Sequence, residues 1–264
     1  MVICPDFSLF DLISVSFYTA QLLPNVPMDS IVEIVKIGGF NVIDAIKRRP
    51  VIMIGAFCSM LLILTGCMEQ DPVDSLHHSL EKAAESEKPF QEEQKTLKEL
   101  EAKENQLYDS VMKLNMDDYK KIVALSNEAL ENVSKREEHL KLENDSMKKS
   151  ESEFEEAKTS AEHIKEKDIK EKADAAANHM EKRYTSYDSM YEEYQKALKL
   201  NKKLYMQLKD KDLTRDDLDQ QIDKVNAAYE KIHKYNGEFN VQTQKYNKAR
   251  EDLYDAAGYH VKKS

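Results

Sequence analysis

From residue 90 to residue 236 the chain contains neither glycine nor proline. These residues are the strongest local interrupters of helix, so a stretch this long without them favours long helices. Its composition, dominated by Lys, Glu, Ala, Leu, Gln and Asp, agrees. With six Gly, six Pro and no Trp in 264 residues, a sheet-rich fold with many tight turns is disfavoured.

Apolar spacing supports the same assignment. A first run carries Leu97, Leu100, Leu107, Val111 and Leu114. A second extends in one phase from Tyr119 through Ile122, Ala129, Val133, Leu140, Met147, Phe154 and Ala161 to Ile164, with Arg136, Glu143 and Ser150 as polar intruders. A third holds Ala173, Ala177, Met180, Tyr184, Tyr187, Tyr191, Tyr194, Leu198, Tyr205 and Leu208, and a fourth runs from Leu218 to Ala257. A period near 3.5 predicts coiled-coil-like packing. The fold class expected is all-α: an elongated antiparallel bundle of three to four long coiled-coil-like helices, each seam covered by a neighbour. Asn115 and Asp117 are expected to cap one helix, Asp168 to open a capping box with Glu171, and Thr214 to cap the last helix with Asp217. The polar intruders are expected to set register, with fraying near Arg136 and Glu143.

A different signal lies upstream. Lys47-Arg48-Arg49-Pro50 precedes the apolar run Val51 to Leu64, and Leu64-Thr65-Gly66-Cys67 follows. Fourteen residues rise about 21 Å as a helix, short of a hydrocarbon core about 30 Å thick. A basic flank, a short apolar core and small residues before a cleavage point describe a secretory signal. The tetrapeptide resembles the lipobox of bacterial lipoproteins, which implies diacylglycerol on the Cys67 sulfur and cleavage before it, with Leu64, Thr65 and Gly66 forming the cleavage motif. The expected division is 1–46 as an upstream extension from a misassigned start or a long cleaved leader, 47–66 as signal peptide, and 67–264 as the mature helical domain. The protein is then expected on the outer face of the cytoplasmic membrane, held through lipid on Cys67.

The chain has 39 basic against 49 acidic side chains, and residues 1–66 hold only four and five of them, so the acidity belongs to the mature part. That balance argues against nucleic acid as a partner. Cysteines at 4, 58 and 67 leave no disulfide framework beyond residue 67.

The segments Glu87-Lys88-Pro89-Phe90-Gln91-Glu92-Glu93-Gln94, Lys103-Glu104-Asn105-Gln106-Leu107-Tyr108-Asp109, Lys135-Arg136-Glu137-Glu138 and Ser150-Glu151-Ser152-Glu153-Phe154, in that order, resemble the YkyA family of "putative cell-wall-binding lipoproteins" of Gram-positive bacteria. The resemblance spans residues 67–264. It implies an all-helical lipoprotein facing the wall, and it brings no catalytic residues.

Candidate chemistry is sparse. Seven histidines include no H-E-x-x-H pair, His77 and His78 point about 100° apart on a helix, and a nucleophile elbow would need glycine that this region lacks. Neither a metal, a cofactor nor an enzymatic activity is expected. Tyr184, Tyr187, Tyr191 and Tyr194, spaced three, four and three apart, have two readings. They form either a platform about 15 Å long for stacking sugars or the filling of a wide bundle seam, and the spacing favours the filling. The function expected is a structural or interaction role at the envelope, with peptidoglycan or an envelope protein as partner. The alternative is an extracytoplasmic chaperone-like module that holds clients on Tyr235, Met190 and Met206. Anionic teichoic acid would need a basic face such as Lys196, Lys199, Lys202 and Lys203 to meet it.

Overall fold

The computed structural model describes residues 71–259. The extension, the signal peptide, the lipobox and Cys67 lie outside the described residues. The described chain forms α1 (Pro72–Ser86), α2 (Lys88–Met112), a 3-10 turn (Met116–Asp118), α3 (Tyr119–Glu162), α4 (Lys167–Gln207) and α5 (Arg215–Ala256). No strand occurs among the described residues. The three long helices have 44, 41 and 42 residues. At 1.5 Å per residue the bundle they form is about 60 Å long. Helices α1 and α2 together make the first arm, and α3, α4 and α5 return antiparallel, as the seam periodicity predicts.

The break inside the first arm is an event of local chemistry. Pro89 has no N–H to give the Glu85 carbonyl, so the backbone ladder opens there. Two groups freed by the opening meet one side chain: the Phe90 N–H donates to Ser146 Oγ at 3.1 Å, and the Ser146 hydroxyl donates to the Ser86 carbonyl at 2.6 Å. Helix α3 thus supplies the hydrogen bonds that proline removes from α1/α2. Replacing Ser146 with Ala strands both groups in a buried position. We expect Ser146→Ala to lower unfolding free energy by about 1–3 kcal/mol in urea titration of the full-length chain. A change within about 0.5 kcal/mol, the range of ordinary surface substitutions, would show that the kink does not need the hydroxyl.

Caps account for several other boundaries. Asn115 accepts from the Asp117 N–H at 2.8 Å, and Thr214 accepts from the Asp217 N–H at 3.1 Å while donating to its carboxylate at 2.6 Å. The box expected at Asp168 does not form. Helix α4 begins earlier, at Lys167, with Glu166 as an N-cap that makes no side-chain bond, and the Asp168 carboxylate is taken by Lys172 one turn on. At the far end Gly258 adopts φ +81°, and the Tyr259 and Gly258 N–H groups return to the carbonyls of Tyr254 and Asp255, a Schellman stop. That stop carries Tyr259 back over α1, where its ring stacks on His77 with centroids 4.3 Å apart.

Backbones pack closely between the first arm and α3, between α3 and α4, and between α4 and α5. The fourth seam, between α5 and the first arm, is spanned by large side chains. Phe90 of α2 meets Phe239 of α5 at 6.0 Å and Tyr187 of α4 at 5.8 Å, and Tyr254 donates to Glu81 at 2.9 Å. Buried Leu80, Leu97, Leu140, Met147, Phe154, Leu198 and Ile232 complete the core. Helix α3 is continuous across Arg136 and Glu143, contrary to the fraying expected there, because both side chains turn into the bundle.

Candidate functional site

Arg136, Glu143 and Ser150 stand one heptad apart on α3, about 10.5 Å per step, and all three are buried. Each is the centre of a polar layer in an otherwise apolar core. A buried polar group is tolerated only with partners, so each layer must be accounted for separately.

The Ser150 layer is the most complete. The kink at Pro89 turns Glu87 fully inward, and its two carboxylate oxygens each accept at 2.7 Å from Arg183 of α4. Ser150 Oγ donates to Glu87 at 2.9 Å and lies 2.7 Å from the Tyr184 hydroxyl, while Arg183 Nε donates to Thr243 at 2.9 Å. The guanidinium also lies over the Phe239 ring, 4.5 Å from its centroid. The pair is 1 % exposed on both sides. Burial works against charge on Arg183, but Glu87 beside it more than offsets this and holds its pKa above the ordinary arginine value.

One end of the ladder is a hub joining every long helix. Arg136 donates to Glu104 and Glu101 of α2, to the Tyr194 hydroxyl of α4 at 2.7 Å and to the Tyr229 hydroxyl of α5 at 2.9 Å. Tyr194 donates on to Glu101, and Asn201 donates to Tyr229 at 2.9 Å. Burial raises the Glu104 carboxyl, and Arg136 beside it opposes that without cancelling it.

Between them lies Glu143, 2 % exposed and with no cation beside it. Loss of hydration pushes its pKa from the ordinary value of 4.5 up to about 8; the Tyr187 hydroxyl opposes the shift, and carboxylates at Glu101 and Glu93 add to it. Tyr187 Oη makes no hydrogen bond of good geometry. This middle layer is therefore neutral at pH 7, with a protonated acid held between two charged layers.

The tyrosines of the sequence motif belong to these layers. Tyr184, Tyr187 and Tyr194 are 4 %, 1 % and 3 % exposed, and Tyr191 is half-buried with its hydroxyl accepting from Gln195 at 2.8 Å. They fill the wide seam and do not form an exposed surface. Of the residues named for client holding, Met190 is buried, Tyr235 is half-buried and Met206 is exposed. Lys196 is drawn to Glu193 at 2.8 Å and Lys202 to Glu137. The described residues contain no group of three metal-ligating side chains and no helix long and apolar enough to cross a membrane. Sequence reasoning missed α1, the kink and the partners of the intruders. The one signal in the sequence was the seven-residue interval between positions 136, 143 and 150.

Comparison with known proteins adds three findings. A family described as "Putative cell-wall binding lipoprotein" matches residues 71–256, nearly all of the bundle. An uncharacterized lipoprotein, YkyA, of Bacillus subtilis (strain 168) is 91 % identical over 221 residues, which are 84 % of this chain and 99 % of that protein. A crystal structure of a conserved protein of unknown function from Staphylococcus aureus is similar in fold, with TM-score 0.61 and 20 % identity over 69 % of this chain and 91 % of its own.

Proposed function

Because this chain belongs to the YkyA family of "putative cell-wall binding lipoproteins", we propose that it is a lipid-tethered helical spacer that holds wall polymer near the outer face of the membrane. The observation that carries the reading is the position of the lipobox relative to the bundle. Only three residues lie between Cys67 and Asp71, the N-cap of α1, a span of four residue steps. A lipid on Cys67 would tether the α1 end within about 14 Å of the bilayer, and helices about 60 Å long would carry the opposite end outward. Two acyl chains give a stable anchor where one is marginal.

What the bundle offers chemically is consistent with a binding role. The buried charges of the outer two layers, Arg183 with Glu87 and Arg136 with Glu104, are committed to one another. One shallow groove among the described residues, about 370 Å³, is lined by Asp168, Lys172, Asp252 and Asp255. A structural or interaction role needs no more than a stable surface, and reaction chemistry would need convergent groups aimed at a substrate. Full-length protein extracted in detergent should sediment with purified peptidoglycan sacculi and stay in solution without them. Failure to sediment in the presence of sacculi, at low and at physiological salt, would end this reading.

A further inference from the structure

The protein is acidic, yet one stretch of it is strongly basic. Residues 195–211, the last third of α4 and the turn after it, hold six lysines and a single acid, Asp210, in a chain of net charge −10. Lys196, Lys199, Lys203 and Met206 are spaced three, four and three apart, so they share one face of the helix, and all four are exposed. Neighbouring groups take up part of this charge. Lys196 goes to Glu193, which Lys231 of α5 also approaches at 3.7 Å, and Lys202 goes to Glu137 of α3. Lys211 lies over the Tyr119 ring, 4.6 Å from its centroid. Lys199 and Lys203 remain: among the described residues no carboxylate comes within ion-pair distance of either. The start of α4 differs, because Lys167, Lys170 and Lys172 each meet a carboxylate one turn away.

We infer that the Lys196–Met206 face of α4 binds anionic teichoic acid through its phosphate groups, an assignment that rests on the wall-binding reading above and names its ligand and surface. A lysine ammonium is a point charge with three rotatable donors on a flexible stem, so contact with a phosphate needs no preformed cavity. Lys199 and Lys203 break no ion pair to make it. Each such contact is weak alone, but a polyanion meets several together and releases its counterions as it binds. The acidic surface elsewhere repels the same chain and confines it to this stripe. Position decides between the two anionic materials of the envelope. Helix α3 ends beside α1, where Ser160 and Ser75 are 3.2 Å apart, and α4 starts from that end. The basic face therefore begins about 44 Å and ends about 59 Å from the start of α4. With a lipid at the α1 end, it stands several Debye lengths, about 8 Å each at physiological salt, away from the bilayer headgroups. It faces the wall.

The test uses detergent-extracted full-length protein, sacculi that carry teichoic acid, and the same sacculi stripped of it. Wild type should sediment with the first at low salt and far less with the second. It should be released as sodium chloride rises to about 0.5 M, where the Debye length shrinks to roughly 4 Å. Lys199→Gln/Lys203→Gln should bind about tenfold more weakly at low salt and show a shallower salt dependence. Both side chains are exposed, so its unfolding midpoint should match that of wild type. Lys199→Arg/Lys203→Arg should bind as wild type does. So should Lys95→Gln/Lys182→Gln, which removes the same charge from exposed positions outside the stripe. Equal sedimentation of wild type and Lys199→Gln/Lys203→Gln, or an equal loss in Lys95→Gln/Lys182→Gln, would overturn the stripe as the site. Sedimentation that stripping leaves unchanged would overturn teichoic acid as the ligand and leave wall binding standing. Absence of sedimentation with either preparation would overturn both readings together.

Discussion

Arg183→Met will cost the full-length protein about 3–5 kcal/mol, because it leaves the Glu87 carboxylate fully buried without its cation. Domains of this kind are stable by about 5–15 kcal/mol, so a single side chain removes a large share of the margin. The cause is the unpaired charge, and removing both charges should mend most of the damage. Glu87→Leu/Arg183→Met keeps comparable apolar volume in place of the pair and should recover all but about 1–2 kcal/mol. Ser150 keeps the Tyr184 hydroxyl in that variant, so no further buried group is stranded on its account. Urea unfolding followed by circular dichroism measures all three proteins. A double variant as unstable as Arg183→Met would show that the guanidinium acts through packing on Phe239 and Thr243, and that the pair with Glu87 contributes little.

Glu143→Gln should move stability in the opposite direction and in a pH-dependent way. The folded protein keeps the Glu143 proton up to about pH 8, whereas an exposed carboxyl loses it near pH 4.5. Between those values the folded state binds more protons than the unfolded state, so its stability falls as pH rises through the window and levels off above it. Glutamine mimics the protonated acid at every pH. The variant should match wild type near pH 4.5 and exceed it by an increasing margin, on the order of 2–4 kcal/mol by pH 8. Urea titrations at pH 5, 6, 7 and 8 measure the margin. A constant difference across the series would mean that Glu143 is ionised in the folded protein or hydrated within it.

Much of the architecture can be read directly from the residues. The absence of glycine and proline from 90 to 236 marks long helices, and the apolar period sets their seams. Thr214 and Asn115 cap where their local patterns indicate. The pattern misleads at Asp168, because a side chain four residues on, Lys172, competes for its carboxylate.

The polar seam positions are the instructive case. Arg136 and Glu143 look like solvent-seeking residues from their own neighbourhoods, because hydropathy carries no information about partners. Those of Arg136 come from positions 101, 104, 194 and 229, on three other helices, and only folding brings them together. Glu87 is hidden in the same way. Its burial depends on a kink that Pro89 makes possible and Ser146 completes, and the two are 57 residues apart in sequence. The tyrosine stripe on α4 is legible as a stripe, whereas its burial follows from partners on α2, α3 and α5 that only folding brings to the rings.

The proposed function requires that this bundle work outside the cell on a lipid leash. Intact-mass analysis of the protein extracted from cell membranes tests it most directly. The account predicts a chain that begins at Cys67 and carries the added mass of a diacylglyceryl group. A chain with an unmodified Cys67 still joined to the Val51–Leu64 segment would contradict it.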